Sequence, residues 1–155
     1  MKHYKKAIAI MLSILAIAGL YELGRRRVGS FAGSHPFGEE WTIQRPIDDV
    51  KSKLTKLHQA NPKLFRDTAK LTFTNSHSNI KPDKERIHFY YADRNEDVKV
   101  LIRQSVDCKN CTDIVLISFI NRKDGTMRLM NRDFNWFANE REIKTFEERI
   151  LKYIK

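Results

Sequence analysis

The chain opens on one long apolar stretch and then alternates between two rhythms, a period of about 3.6 residues and a period of two. Ala7 to Tyr21 (AIAIMLSILAIAGLY) is fifteen consecutive positions without a charged side chain, preceded by Lys2, Lys5 and Lys6 and followed by Arg25, Arg26 and Arg27. This segment is apolar all round, whereas a helix at the surface of a soluble core carries one apolar stripe. Trp41-Thr42-Ile43-Gln44 then reads as a short strand. Pro46 suits a first helical turn, Asp48 and Asp49 complement its positive end, and Ile47, Val50, Leu54 and Leu57 fall on one face. Asn61-Pro62 ends that helix, leaving room for a single turn over residues 63–67.

Strand rhythm takes over at residue 70. Residues 70–75 place Leu71 and Phe73 on one face, and residues 75–84 form a polar loop containing Pro82. Residues 86–92 set Ile87, Phe89 and Tyr91 against His88 and Tyr90, and a polar turn is expected over residues 93–97. Residues 98–106 alternate, whereas residues 113–121 are apolar on both faces, which predicts a central strand. Asp124-Gly125 predicts a two-residue type I′ turn into a strand over residues 126–134, which sets Asn121 opposite Arg128, Phe119 opposite Met130 and Ile117 opposite Arg132. Asn139 with Glu142 predicts a capping pair, and Ile143, Phe146, Ile150 and Ile154 form the apolar stripe of a last helix.

The expectation is an α+β domain, an antiparallel sheet of about six strands packed against a carboxyl-terminal helix and preceded by a transmembrane or signal helix. The segment Trp41-Thr42-Ile43-Gln44-Arg45-Pro46-Ile47-Asp48-Asp49-Val50, with the order of elements that follows, resembles the strand-to-helix junction of the START and birch-pollen-allergen-like domains. The resemblance implies a helix-grip fold, with a curved sheet wrapping the last helix around an apolar cavity. A cystatin-like sheet wrapping a helix fits the same order. Residues 1–24 are expected to be a signal anchor or signal peptide, residues 25–38 a basic, Gly/Ser-rich linker, and residues 39–155 one domain.

A full span takes roughly 20 apolar residues and at least about 17, a minimum that residues 7–23 meet with Glu22 at the headgroups. The reading is an uncleaved anchor, with the membrane as partner through residues 7–23 and the domain outside the cytoplasm, periplasmic or extracellular. Ala16-Ile17-Ala18 before Gly19 also fits a small-x-small cleavage site, so secretion after cleavage near Ala18 is the alternative. Against cleavage, Arg25 to Arg27 would fall very early in the mature chain, where positive charge opposes translocation.

Net charge changes the picture little. Of the formal +10, the first 34 residues hold +5, and the remainder is the interspersed mixture of an ordinary solvated surface. No dense basic stripe points to nucleic acid.

Candidate chemistry is sparse. Cys108-Lys109-Asn110-Cys111 precedes a strand, so the helix dipole that a thiol oxidoreductase needs is missing. A small structural disulfide closing a hairpin is the expectation, and a thiol–disulfide redox protein is the alternative. His58, His77 and His88 are scattered, and one CxxC offers two of the four ligands of a zinc site, so no metal or other cofactor is expected. Ser76 and Ser78 beside His77 do not make a triad, which is assembled from distant segments. Phe119, Arg128, Met130 and Arg132 are expected to form a mixed apolar and cationic hairpin face, with Trp136 at its mouth. Such a face is either core at one end with solvated arginines at the other, as in an ordinary covered sheet, or a site that suits an apolar or amphipathic, lipid-like ligand. The functional expectation is a non-enzymatic, membrane-tethered or exported module that binds such a ligand or a protein of the envelope.

Overall fold

The computed structural model describes residues 2–28, 37–67, 74–75 and 84–155. The apolar segment forms helix α1 (Lys2–Val28), whose stretch Lys6–Gly24 has a mean hydropathy of 2.0 and is long and apolar enough to cross a membrane. Ile10, Leu12, Ile14, Leu15, Ile17 and Leu20 all point away from the protein. The helix continues through Arg25 to Arg27, positions expected to belong to a linker.

The body is α+β. In chain order come β1 (Glu39–Ile43), α2 (Ile47–Ala60), a 3-10 turn (Pro62–Leu64), β2 (Thr74–Asn75), β3 (Lys84–Tyr91), β4 (Glu96–Gln104), β5 (Thr112–Asn121) and β6 (Met127–Leu129). A carboxyl-terminal helical rod completes it, made of α3 (Trp136–Phe146), a π-helical turn (Glu147–Leu151) and α4 (Lys152–Ile154). The sheet is antiparallel in the order β1-β5-β4-β3-β2, and β6 pairs the far end of β5. β5 is central, as its two apolar faces required. Ile114, Leu116 and Phe119 enter the main core, while Val115 and Ile117 join Leu101 in a smaller cluster on the opposite face.

The main core lies between the sheet, α2 and the carboxyl-terminal rod. Val50, Leu54 and Leu57 of α2 meet Ile87, Phe89, Tyr91, Val98, Val100 and Ile102 of the sheet. Phe146 stacks on Trp41 at 5.3 Å between centroids and meets Phe89 edge-on at 6.1 Å. Sequence spacing anticipated these stripes because both follow from backbone period alone. The π-helical turn adds one residue to the rod, so Ile150 and Leu151 are both buried.

The second half of the hairpin departs from expectation. Its strand ends at Leu129, and its loop spans residues 122–125 rather than Asp124-Gly125 alone. The Asn121 side chain accepts from the Lys123 amide and the Asp124 side chain from the Thr126 amide. Gly125 takes φ +73° and its amide returns to the Asn121 carbonyl. The longer loop shifts the register by two residues, so Phe119 faces Arg128. A β-bulge does more: Lys99 pairs Ser118 and Val100 pairs Leu116, leaving Ile117 as the extra residue. The expected pairs of Ile117 with Arg132 and Phe119 with Met130 are therefore not formed.

The helix cap also sits elsewhere. Asn135 is the N-cap, its side chain accepting from the Ala138 amide at 2.9 Å, and Asn139 and Glu142 are buried inside α3. Of the strand expected over residues 70–75, only Thr74 and Asn75 are described, pairing with β3. The rest of it, the expected loop up to residue 83, and Ser76, His77 and Ser78 lie outside the described residues.

Candidate functional site

Cys108 and Cys111 form a disulfide between β4 and β5. The loop is held from several sides: the Ser105 amide donates to the Cys111 carbonyl, the Cys111 amide to the Cys108 carbonyl, and the Gln104 side-chain amide to the carbonyls of Cys108, Lys109 and Cys111. Cys111 is buried, and the chain leaves it directly into β5. Among the described residues the sulfurs are flanked by β4 and β5 rather than by a helix amino terminus, so the dipole that lowers a catalytic thiol's pKa is not supplied by them. The geometry is that of a stapled hairpin end.

The five residues expected to make one binding face are divided among four environments. Phe119 and Met130 are fully buried in the main core. Arg128 sits at the core's edge, over the Phe134 ring at 4.7 Å and paired with Glu96. Arg132 belongs to an exposed turn, bound to Asp133 and lying over the Phe37 ring at 5.7 Å. Trp136 opens α3 with 52% of its surface exposed, against Phe137 at 5.0 Å between centroids.

The bulge and the short β6 explain the separation. Asn131, in the left-handed region at φ 54°, turns the chain out of the sheet. Its amide donates to the Asn139 side chain, and its own side-chain amide donates to Glu39. The turn is thereby tied both to α3 and to the first residue of β1.

A cluster that sequence reasoning passed over lies where the β3–β4 turn meets α3. The Arg94 guanidinium donates from Nη1 to both carboxylate oxygens of Glu142, at 2.6 and 2.7 Å. Glu96 receives Arg128, and Arg149 makes a bidentate pair with Asp93 at 2.7 and 2.9 Å. The Tyr91 ring lies between the Arg149 and Arg94 guanidiniums, at 4.5 and 5.1 Å. Burial pushes the Tyr91 phenol well above its ordinary range, and the hydrogen bonds from Arg149 hold the Asp93 carboxyl below its ordinary value. Residues 93–97 read in sequence as a solvated turn, yet Glu96 and Asp97 are buried. One available signal was Glu142, which shares a helical face with Phe146 at i, i+4 and so had to enter the core with a cation beside it.

Chemically the cluster is balanced. Arg94, Arg128 and Arg149 meet Glu96, Glu142 and Asp93, leaving no spare charge with which to attract an ion. It clamps the carboxyl-terminal rod to the sheet. Against the sheet that rod is packed with aromatic rings, and a groove of about 260 Å³ lies outside the core, lined by Lys53, Lys56, Leu57, Ala60 and Tyr153.

The histidines have local roles. His58 donates from Nε2 to the Asp67 carbonyl at 3.0 Å and meets Phe65 edge-on. His88 lies on β3 near Arg66, and its imidazole is held below its ordinary pKa by burial first and then by Arg66 and Lys99. Compared with known proteins, the chain matches no family model and no curated sequence.

Proposed function

We propose that this chain is a single-span, membrane-tethered module whose α+β body works outside the cytoplasm without catalysing a reaction, its task being to bind a protein of the envelope. The observation that carries the tether is α1. No described residue of its stretch Lys6–Gly24 is buried, so the body does not enclose that apolar surface. Leaving so many large apolar side chains in water costs far more than inserting them into a bilayer, at about 25 cal/mol per Å² of apolar area. The lysines before the span and the small charge excess on that side favour an amino terminus retained in the cytoplasm.

Three features favour binding over chemistry. Between rod and sheet, Phe146 packs on Trp41 and on Phe89. The buried charges neutralise one another, and the disulfide is built into a strand junction. Pairing of β1 with β5, and a final helix across the same face, supports the helix-grip-like reading of the fold. The packed interior shifts the emphasis from an enclosed lipid-like ligand to a partner at the surface.

The test is alkaline carbonate extraction of membranes carrying the full chain, with protease added to sealed and opened vesicles. The chain should stay in the pellet, and its body should be digested only from the non-cytoplasmic side. Release into the alkaline supernatant would end the tether reading. A product beginning at Gly19 by mass spectrometry would replace the anchor with a secreted form.

A further inference from the structure

We propose that the aromatic pair Trp136–Phe137 is a membrane-contact face that seats the body on the bilayer to which α1 ties it. This inference rests on the tether reading above. Phe137 is 78% exposed and Trp136 52%, side by side at the start of α3. Such rings in water are unusual for a domain whose other aromatic side chains are mostly enclosed. Indole rings and arginines are both favoured at headgroup depth, and Arg132 stands four residues before Trp136 in the turn that leads into α3.

What selects the bilayer over another occupant is where the tether joins. β1 begins at Glu39, and Glu39 accepts from Asn131, whose amide donates to Asn139 one turn into α3. Phe37, two residues earlier, lies under Arg132. The tether's point of attachment and the exposed rings thus occupy the same end of the body. Only residues 29–38 separate α1 from β1, a reach of at most roughly 35 Å even fully extended. A body held so closely by this end presents this end to the surface.

The experiment uses the full chain in phosphatidylcholine vesicles containing phosphatidylglycerol, with Trp41→Phe leaving Trp136 as the sole indole. Flotation reports the tether, and quenching by lipids brominated near the headgroup, against iodide in the water, reports the contact. The expected result is flotation with a roughly twofold or greater loss of Trp136 emission from brominated lipid and reduced access to iodide, as for an indole at headgroup depth. If Trp41→Phe does not fold, Trp136→Phe in the otherwise unchanged chain should abolish the lipid-quenched component. Flotation with Trp136 open to iodide and unquenched by lipid overturns the contact and leaves the tether standing. Flotation with Trp136 shielded from both quenchers overturns it in favour of a protein covering the rings. Failure to float removes the tether, and the contact face with it.

Discussion

The Arg94–Glu142 pair offers the sharpest test of how the body is held together. Glu142 is 1% exposed and Arg94 27%, and one guanidinium nitrogen serves both carboxylate oxygens. Replacing Arg94 with Ala leaves a carboxylate inside α3 with Arg141 only weakly placed at 3.9 Å. Breaking a buried pair from one side costs about 3–5 kcal/mol, and Arg94→Ala should fall in that range. Glu142→Ala should cost less than Arg94→Ala, because the remaining guanidinium still has Glu96 at 3.8 Å. A domain of this size loses roughly 4–8 °C of Tm per kcal/mol, so Arg94→Ala should lower Tm by more than about 10 °C. The assay is urea unfolding of the detergent-solubilised full chain, followed by the fluorescence of Trp41, which stacks on Phe146 of the same rod. A double-mutant cycle should return a coupling of about 2 kcal/mol, and Arg94→Met with Glu142→Leu should recover most of the loss. A cost for Arg94→Ala under about 1 kcal/mol with coupling under about 0.5 kcal/mol is the signature of a solvated surface pair. That result would refute the clamp.

Phe146→Ala removes a ring enclosed by Trp41 and Phe89 and should cost about 3–5 kcal/mol in the same assay; a loss under about 1.5 kcal/mol would mean that the rod is not docked as described. Reducing Cys108–Cys111, or replacing both with Ser, should cost no more than about 2 kcal/mol, because the closed loop is so short. Turnover of a disulfide substrate by the full chain would revive the redox alternative. Because the folded protein holds His88 below its ordinary pKa of about 6.5, it takes up that proton less readily than the unfolded chain. The corresponding stability is present above about pH 6.5 and lost as the solution is acidified below it. His88→Gln should therefore flatten the fall in Tm between about pH 7 and 5, and an unchanged slope would exclude His88 as its cause.

Much of the architecture was legible because it depends on period. The stripe Val50, Leu54, Leu57, the alternation Ile87, Phe89, Tyr91 and the two-faced apolar run of β5 each follow from where successive side chains point along a regular backbone. The leader was legible for a simpler reason, since length and lack of charge are properties of the chain itself. Cys108 and Cys111 were legible as a local staple because three residues of separation leave little choice.

Where sequence and structure part, the cause is a contact made between distant segments or a single inserted residue. Asn139 looked like a cap because Glu142 follows three residues on, but a bond to Asn131 draws it inside and gives the cap to Asn135. One extra residue at Ile117 sends that side chain to the other face of the sheet, and no periodicity announces a bulge. Glu96 and Asp97 read as solvated until Arg128, Arg122 and Arg66 arrive from other elements to neutralise them. The sequence alone thus settled the apolar amino-terminal helix, the α+β class and the principal core stripes, since backbone geometry repeats locally. Tertiary structure alone decided which charges are buried and which aromatic rings stay in water, because burial is a property of what packs on a residue and not of the residue.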